Sequence, residues 1–181
     1  MSTINKLQSG HPENIEGRSE RELRCYNWLD AHHINYESFD HDASFTMDVC
    51  AEFDTILNAT TCKNLFLCNR QKTKFFLLMI PGEKKFLTKD ISQQIGSARL
   101  SFASADDMLK YLDTEPGSVS LLGLMNDNTK TVQLLIDNDV LKCEYIGIHP
   151  CVNTTSLRLS VDELINKVVP ALEHTPIMVT L

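Results

Sequence analysis

An α+β domain with a mixed sheet and flanking helices is the fold class this sequence predicts, and three observations carry the prediction. Residues 62–68 and 74–80 are apolar runs joined by the polar stretch Asn69-Arg70-Gln71-Lys72-Thr73, which is the pattern of a β-hairpin. Segments of helical periodicity fall between these runs and other short apolar runs, so hairpins and helices mix and the sheet holds both strand directions. The 181 residues contain no internal repeat and suit a single domain.

Residues 1–18 read as a flexible N-terminal arm, being polar, interrupted by Gly10, Pro12 and Gly17, and without periodicity. The domain proper spans 19–181. Ser19 and Glu22 have capping-box spacing, and Leu23, Tyr26 and Leu29 continue one helical face toward His32 and His33. A short strand is expected over 36–39. Ser44 or Thr46 then caps a second helix that buries Val49, Phe53 and Ile56 or Leu57. The hairpin follows and ends at Pro81-Gly82. Residues 88–95 and 104–112 read as short helices, the second with Ser104 and Asp107 in capping spacing. A Gly/Ser/Pro segment opens at Glu115 and leads to Gly123. Strands are expected over 132–136, 143–148, 154–159 and 177–181, with a helix over 161–172 capped by Ser160.

At 43% hydrophobic and 23% charged residues, the composition is that of a globular protein, which at this length buries about 70% of its unfolded surface. No run approaches the roughly 20 apolar residues of a membrane span, and residues 1–10 lack a secretory signal's apolar centre, so a cytoplasmic location without membrane attachment is expected. The six cysteines lack the spacing of a disulfide framework and read as reduced thiols. A net charge of −7 argues against nucleic acid, but its distribution does not. From Lys63 to Arg99 eight basic residues stand against two acidic ones, which fits either a phosphate-binding face or ordinary solvated lysines.

Most catalytic signatures are missing: no G-x-S-x-G, no H-E-x-x-H, no phosphate-binding glycine loop, no C-x-x-C. No cofactor and no metal are expected, since nothing near His149 and Cys151 completes a ligand set. A Cys–His hydrolase through Cys62 or Cys151 is a further option, though a thiol in an apolar strand is more often a small buried hydrophobe. Three segments draw more interest. Lys63 and Asn64 interrupt an apolar run, and a lysine there must reach either solvent or an anion. Pro116-Gly117-Ser118-Val119-Ser120 is either a plain turn or a place where backbone N–H groups approach a ligand. His149 before Pro150 ends a strand as a structural residue or a site residue.

Six motifs occur in an order that resembles the YbaK and prolyl-tRNA synthetase associated editing domains, and among them the freestanding ProX-type editing proteins. They are C-K-N-L-F-L at 62–67, F-L-L-M-I-P-G-E-K-K-F at 76–86, R-L-S-F-A-S at 99–104, E-P-G-S-V-S at 115–120, G-L-M-N-D at 123–127 and G-I-H-P-C-V-N-T-T at 147–155. The resemblance implies an aminoacyl-tRNA deacylase, a carboxylic ester hydrolase acting in trans on alanyl-tRNA(Pro), with prolyl-tRNA synthetase as a further partner. It implies that Lys63 holds the phosphate end of the terminal adenosine, with Asn64 beside it. By the same resemblance Gly117, Ser118, Val119 and Ser120 line the aminoacyl pocket, His149 belongs to the site, and Asn153 and Thr154 complete its loop. Leu121 stands where the family usually has proline, which implies a looser pocket. Cysteinyl- or another small aminoacyl-tRNA, or a non-catalytic binding role, are the alternatives.

Overall fold

The computed structural model describes residues 7–43 and 53–181. One mixed sheet carries β1 (Gln8–Ser9), β2 (Glu37–Asp40), β3 (Thr60–Asn69), β4 (Phe75–Pro81), β5 (Leu100–Phe102), β6 (Val132–Asp137), β7 (Tyr145–Ile148), β8 (Thr155–Ser160) and β9 (Ile177–Val179). The order is β1-β2-β8-β7-β3-β4-β6-β9, with β5 also on β3. The β3–β7, β4–β6 and β6–β9 pairs are parallel and the others antiparallel. The α+β expectation is met, with helices on both faces.

The hairpin forms as the polar spacer predicts, with Lys63 opposite Ile80 and Leu67 opposite Phe76. Strand β4 is buried over Phe75 to Ile80 because it is covered on both faces, which is why it reads as an unbroken apolar run. Phe75, Leu77 and Met79 enter the larger core, and Phe76, Leu78 and Ile80 enter a second one with Ile91, Leu135 and Val179.

Helix α1 (Glu20–Ala31) is capped by Ser19, whose hydroxyl accepts from the Glu22 N–H. Residues 53–57 form α2, which buries Phe53 and Leu57, while Ile56 is exposed; Ser44, Thr46 and Val49 lie outside the described residues. Helix α3 (Thr88–Gln94) and α4 (Ala105–Leu112) follow, the latter with the reciprocal Ser104–Asp107 box that its spacing predicts. The last helix runs as α5 (Val161–Glu163), a π-helical turn (Leu164–Val168) and α6 (Val169–Leu172), with the Ser160 hydroxyl accepting from the Glu163 N–H.

Two expectations need correction. Residues 7–18 are not a loose arm: β1 pairs with β2, and Arg18 bonds Glu22 and Asp40, while Thr155 donates to Asp40 at 2.8 Å. Burial would raise the Asp40 pKa, but Arg18 and Thr155 outweigh it and hold the carboxyl below its ordinary value. An amphipathic period could not foresee this, because the order comes from a long-range ion network. The segment after Glu115 is also more regular than expected. A 3₁₀ turn (Leu121–Asn126) packs so closely on α4 that a Cβ on Gly123 would lie 2.9 Å from the Leu112 carbonyl oxygen. Its far end is pinned by buried Asp127, which accepts from the Val132 N–H at 2.7 Å and faces His174 at 3.1 Å.

Candidate active site

Strand β3 sets the site through a gap in its pairing. One edge is bonded to β4 along its length. The other is paired with β7 only at Thr60 and Thr61 and with β5 only from Leu67 onward. Backbone groups alternate along a strand, and the Thr61 carbonyl and Asn69 N–H bond toward β4 while the Phe66 carbonyl bonds toward Ala103. The N–H and C=O of Asn64 therefore face the gap. A cleft of about 670 Å³ wraps around this open edge.

The same alternation divides the side chains. Lys63 shares a face with Leu65 and Leu67, whereas Asn64 shares the other with Cys62 and Phe66. Lys63 and Asn64 therefore sit on opposite sides of one open edge, and both line the cleft. The Lys63 ammonium donates to the Lys84 carbonyl at 2.6 Å and lies 5.9 Å from the Phe86 ring centroid. No carboxylate reaches it among the described residues, and burial holds its pKa below the ordinary lysine value. On the cleft wall, Asn64 Oδ1 and Thr61 Oγ1 are buried without a hydrogen-bond partner. Buried acceptors are normally satisfied, so these two are exceptions at the border of the cleft, one on each face of β3.

Gly117 forms the facing wall. It has φ +89°, Pro116 precedes it, and the Ser118 N–H donates to the Glu115 carbonyl at 3.0 Å, which is the arrangement of a type II turn. Only glycine takes that φ without strain, and the turn leaves the Gly117 N–H outside its own hydrogen bond. His149, at the end of β7, also lines the cleft. Its Nδ1 lies 3.0 Å from the Thr155 carbonyl, which can only accept, so Nδ1 carries the proton. Burial lowers its pKa against the raising effect of the Thr155 hydrogen bond, with the His41 ring 6.2 Å away adding to the lowering, so the neutral ring is favoured.

The remaining sequence-predicted residues divide. Val119 lines the cleft. Ser118 is buried and donates to the Glu115 carbonyl, closing the turn. Ser120 is fully buried; its hydroxyl donates to the His149 carbonyl at 2.5 Å and accepts from the Leu122 N–H, which ties the glycine wall to the histidine. Leu121 is fully buried in the larger core, so it supports the wall from behind and does not face the cleft. The Asn153 amide nitrogen lies 4.0 Å from where a Gly117 Cβ would be, and Thr154 is exposed, its carbonyl accepting from the His41 N–H at 2.9 Å. Asp54, Glu83, Met108 and Phe102 also line the cleft and are not among the site residues that the sequence predicts. Asp54 accepts from the Thr61 N–H at 2.8 Å, a contact that no local spacing announces.

The Cys–His alternative weakens on geometry. The Cys62 thiol is buried and its pKa is pushed well up by that burial and by Cys143, the reverse of an activated nucleophile. The Cys25 thiol is also pushed up, by its hydrogen bond with Cys151 and by burial. Five unpaired cysteines are found among the described residues, and the same residues contain no group of side chains able to hold a metal ion. No described helix is long and apolar enough to cross a membrane.

The family model described as "Aminoacyl-tRNA editing domain" matches residues 41–167. The chain is 33% identical over 147 residues to the prolyl-tRNA editing protein ProX of Acetoanaerobium sticklandii, covering 81% of this chain and 89% of that one. It is 29% identical over 167 residues to the mouse (Mus musculus) prolyl-tRNA synthetase associated domain-containing protein 1, covering 90% and 95%. A solved structure described as a candidate trans-editing enzyme for prolyl tRNA synthetase superposes with a TM-score of 0.69 at 15% identity, over 91% of this chain, and shares the fold. The chain belongs to the aminoacyl-tRNA editing domain family.

Proposed function

We propose that the protein is a trans-acting deacylase that hydrolyses the ester of alanine attached to tRNA(Pro). The observation that carries this reading is the cleft around the open edge of β3, with an ammonium that no described carboxylate meets on one face and the Gly117 turn and a histidine at the other. Lys63 binds a phosphate of the terminal nucleotide, as an ammonium without a carboxylate partner can. The ester then lies across the edge, beside Asn64 and Thr61.

Water adds to the ester carbonyl carbon and the developing oxyanion is met by the Gly117 N–H. His149 Nε2 accepts a hydrogen bond from the water or a neighbouring substrate hydroxyl. Collapse of the intermediate breaks the bond to the ribose oxygen, which takes the proton, and leaves free alanine and uncharged tRNA. An aminoacyl ester is reactive enough that positioning supplies much of the acceleration. Selectivity for small side chains follows from a confined wall at Gly117 and Val119, since each excluded methylene contributes about 1–3 kcal/mol. The reaction takes place in the cytoplasm, after release of the mischarged tRNA by prolyl-tRNA synthetase.

The test is deacylation of alanyl-, seryl-, cysteinyl- and prolyl-tRNA(Pro) by the purified protein. Fast loss of alanine with prolyl-tRNA(Pro) spared is the expected result. Preference for the cysteinyl ester moves the substrate, and hydrolysis of none removes the catalytic reading.

A further inference from the structure

We propose that Phe102 is a stacking platform for the base of the 3′-terminal nucleotide whose aminoacyl ester occupies the cleft; the inference rests on the deacylase reading. Phe102 is 60% exposed, yet it lines the cleft. Scattered exposed apolar residues are ordinary, but this one stands on a paired strand at the cleft. Its Cα pairs with Leu67 across the β3–β5 ladder, so its ring projects from the face that also carries Lys63. Leu100, two residues earlier on the same face, is anchored in the second core. The Phe86 ring meets that of Phe102 at 6.4 Å and 82°, and the Lys63 ammonium lies 5.9 Å from Phe86.

An exposed aromatic ring on the same sheet face as an ammonium, with a second ring between them, is what a single-stranded nucleotide requires, because the base stacks on the ring while the cation meets a phosphate. Charge favours this occupant over an apolar protein segment. Lys85 directly precedes Phe86 in the chain, and Lys85, Lys89 and Arg99 form no ion pair among the described residues. The two faces of β3 then have separate tasks: the Lys63–Phe102 face takes the nucleotide, and the Asn64–Gly117 side takes the amino acid.

The test measures binding of an unacylated RNA minihelix ending in CCA, and of the same RNA with an abasic terminal ribose, by fluorescence anisotropy. Phe102→Ala is expected to weaken the CCA minihelix about tenfold, with Phe102→Trp restoring it and neither change altering affinity for the abasic RNA. In deacylation the loss for Phe102→Ala falls on KM. Wild-type affinity in Phe102→Ala, an equal loss with the abasic RNA, or no binding of either RNA by the wild-type protein overturns the proposal. Base-dependent binding through Phe102 in a protein that hydrolyses no aminoacyl-tRNA retains the platform and removes the deacylase reading. Hydrolysis with unchanged Phe102→Ala binding does the reverse.

Discussion

Lys63 and Lys84 are joined by one hydrogen bond and are used in opposite ways. The Lys84 ammonium lies 2.8 Å from Asp137, whose side chain is fully buried, and 2.6 Å from Asp139. Burial would lower its pKa, but the two carboxylates outweigh that and raise it. Asp139 is in turn held at about 2 by Lys142 and Lys84. Lys63 has a backbone carbonyl and a ring for neighbours and a pKa lowered by burial. A cation matched by carboxylates belongs to the fold, whereas one left unmatched in a cleft is available to an anion. The difference also refines the basic stretch from Lys63 to Arg99, since Lys84 is bound to Asp137 and Asp139 and Lys72 to Asp107 at 3.6 Å.

The comparison is sharpest when each lysine is removed. Lys63→Ala should lower kcat/KM for alanyl-tRNA(Pro) by about 10- to 100-fold, the worth of a charged hydrogen bond, while the melting temperature stays within about 2 °C. Steady-state kinetics alongside thermal melts check both halves, and full activity in a folded Lys63→Ala protein would take Lys63 out of the site. Lys84→Ala should act the other way, costing about 3 kcal/mol in urea unfolding because buried Asp137 loses its partner, with a few-fold effect at most on turnover at low temperature. A Lys84→Ala protein as stable as the parent would mean that the pair is not structural.

Smaller effects extend the contrast to titration and packing. Burial lowers the pKa of His41 and of His149, so the unfolded chain takes up protons more readily than the folded one below about pH 6.5. Their contribution to stability is therefore complete above that pH and is lost as pH falls through the folded values. Urea midpoints between pH 8 and 5 should fall accordingly, and His149→Asn should flatten the profile. Val119 and Leu121 form the last pair, one in the cleft and one in the core. Leu121→Met should cost about 1 kcal/mol or less and leave the amino-acid selectivity unaltered. A changed selectivity would put position 121 back in the pocket.

Elements whose cause is local were readable from the chain alone. The hairpin follows from two apolar runs and a polar spacer, and the caps at Ser19, Ser104 and Ser160 follow from hydroxyl residues placed before helical periods. Lys63, Asn64, Gly117 and His149 could be named as candidates because a charge, an amide, a glycine and a histidine each broke an apolar or turn pattern. The sequence thus determined most of the strands, though not β1 or β5, and the residues that fit neither core nor turn. Tertiary structure alone decided which of these meet. The gap between β7 and β5 that opens the edge of β3 depends on strands paired far along the chain, and the burial of Leu121 depends on how the 3₁₀ turn packs against α4. Arg18 is tied to the domain because Glu22, Asp40 and Thr155 converge on it. Pairing partners and ion networks of this kind are set by long-range contacts, whose loop-closure cost and geometry leave no trace in a local window of sequence.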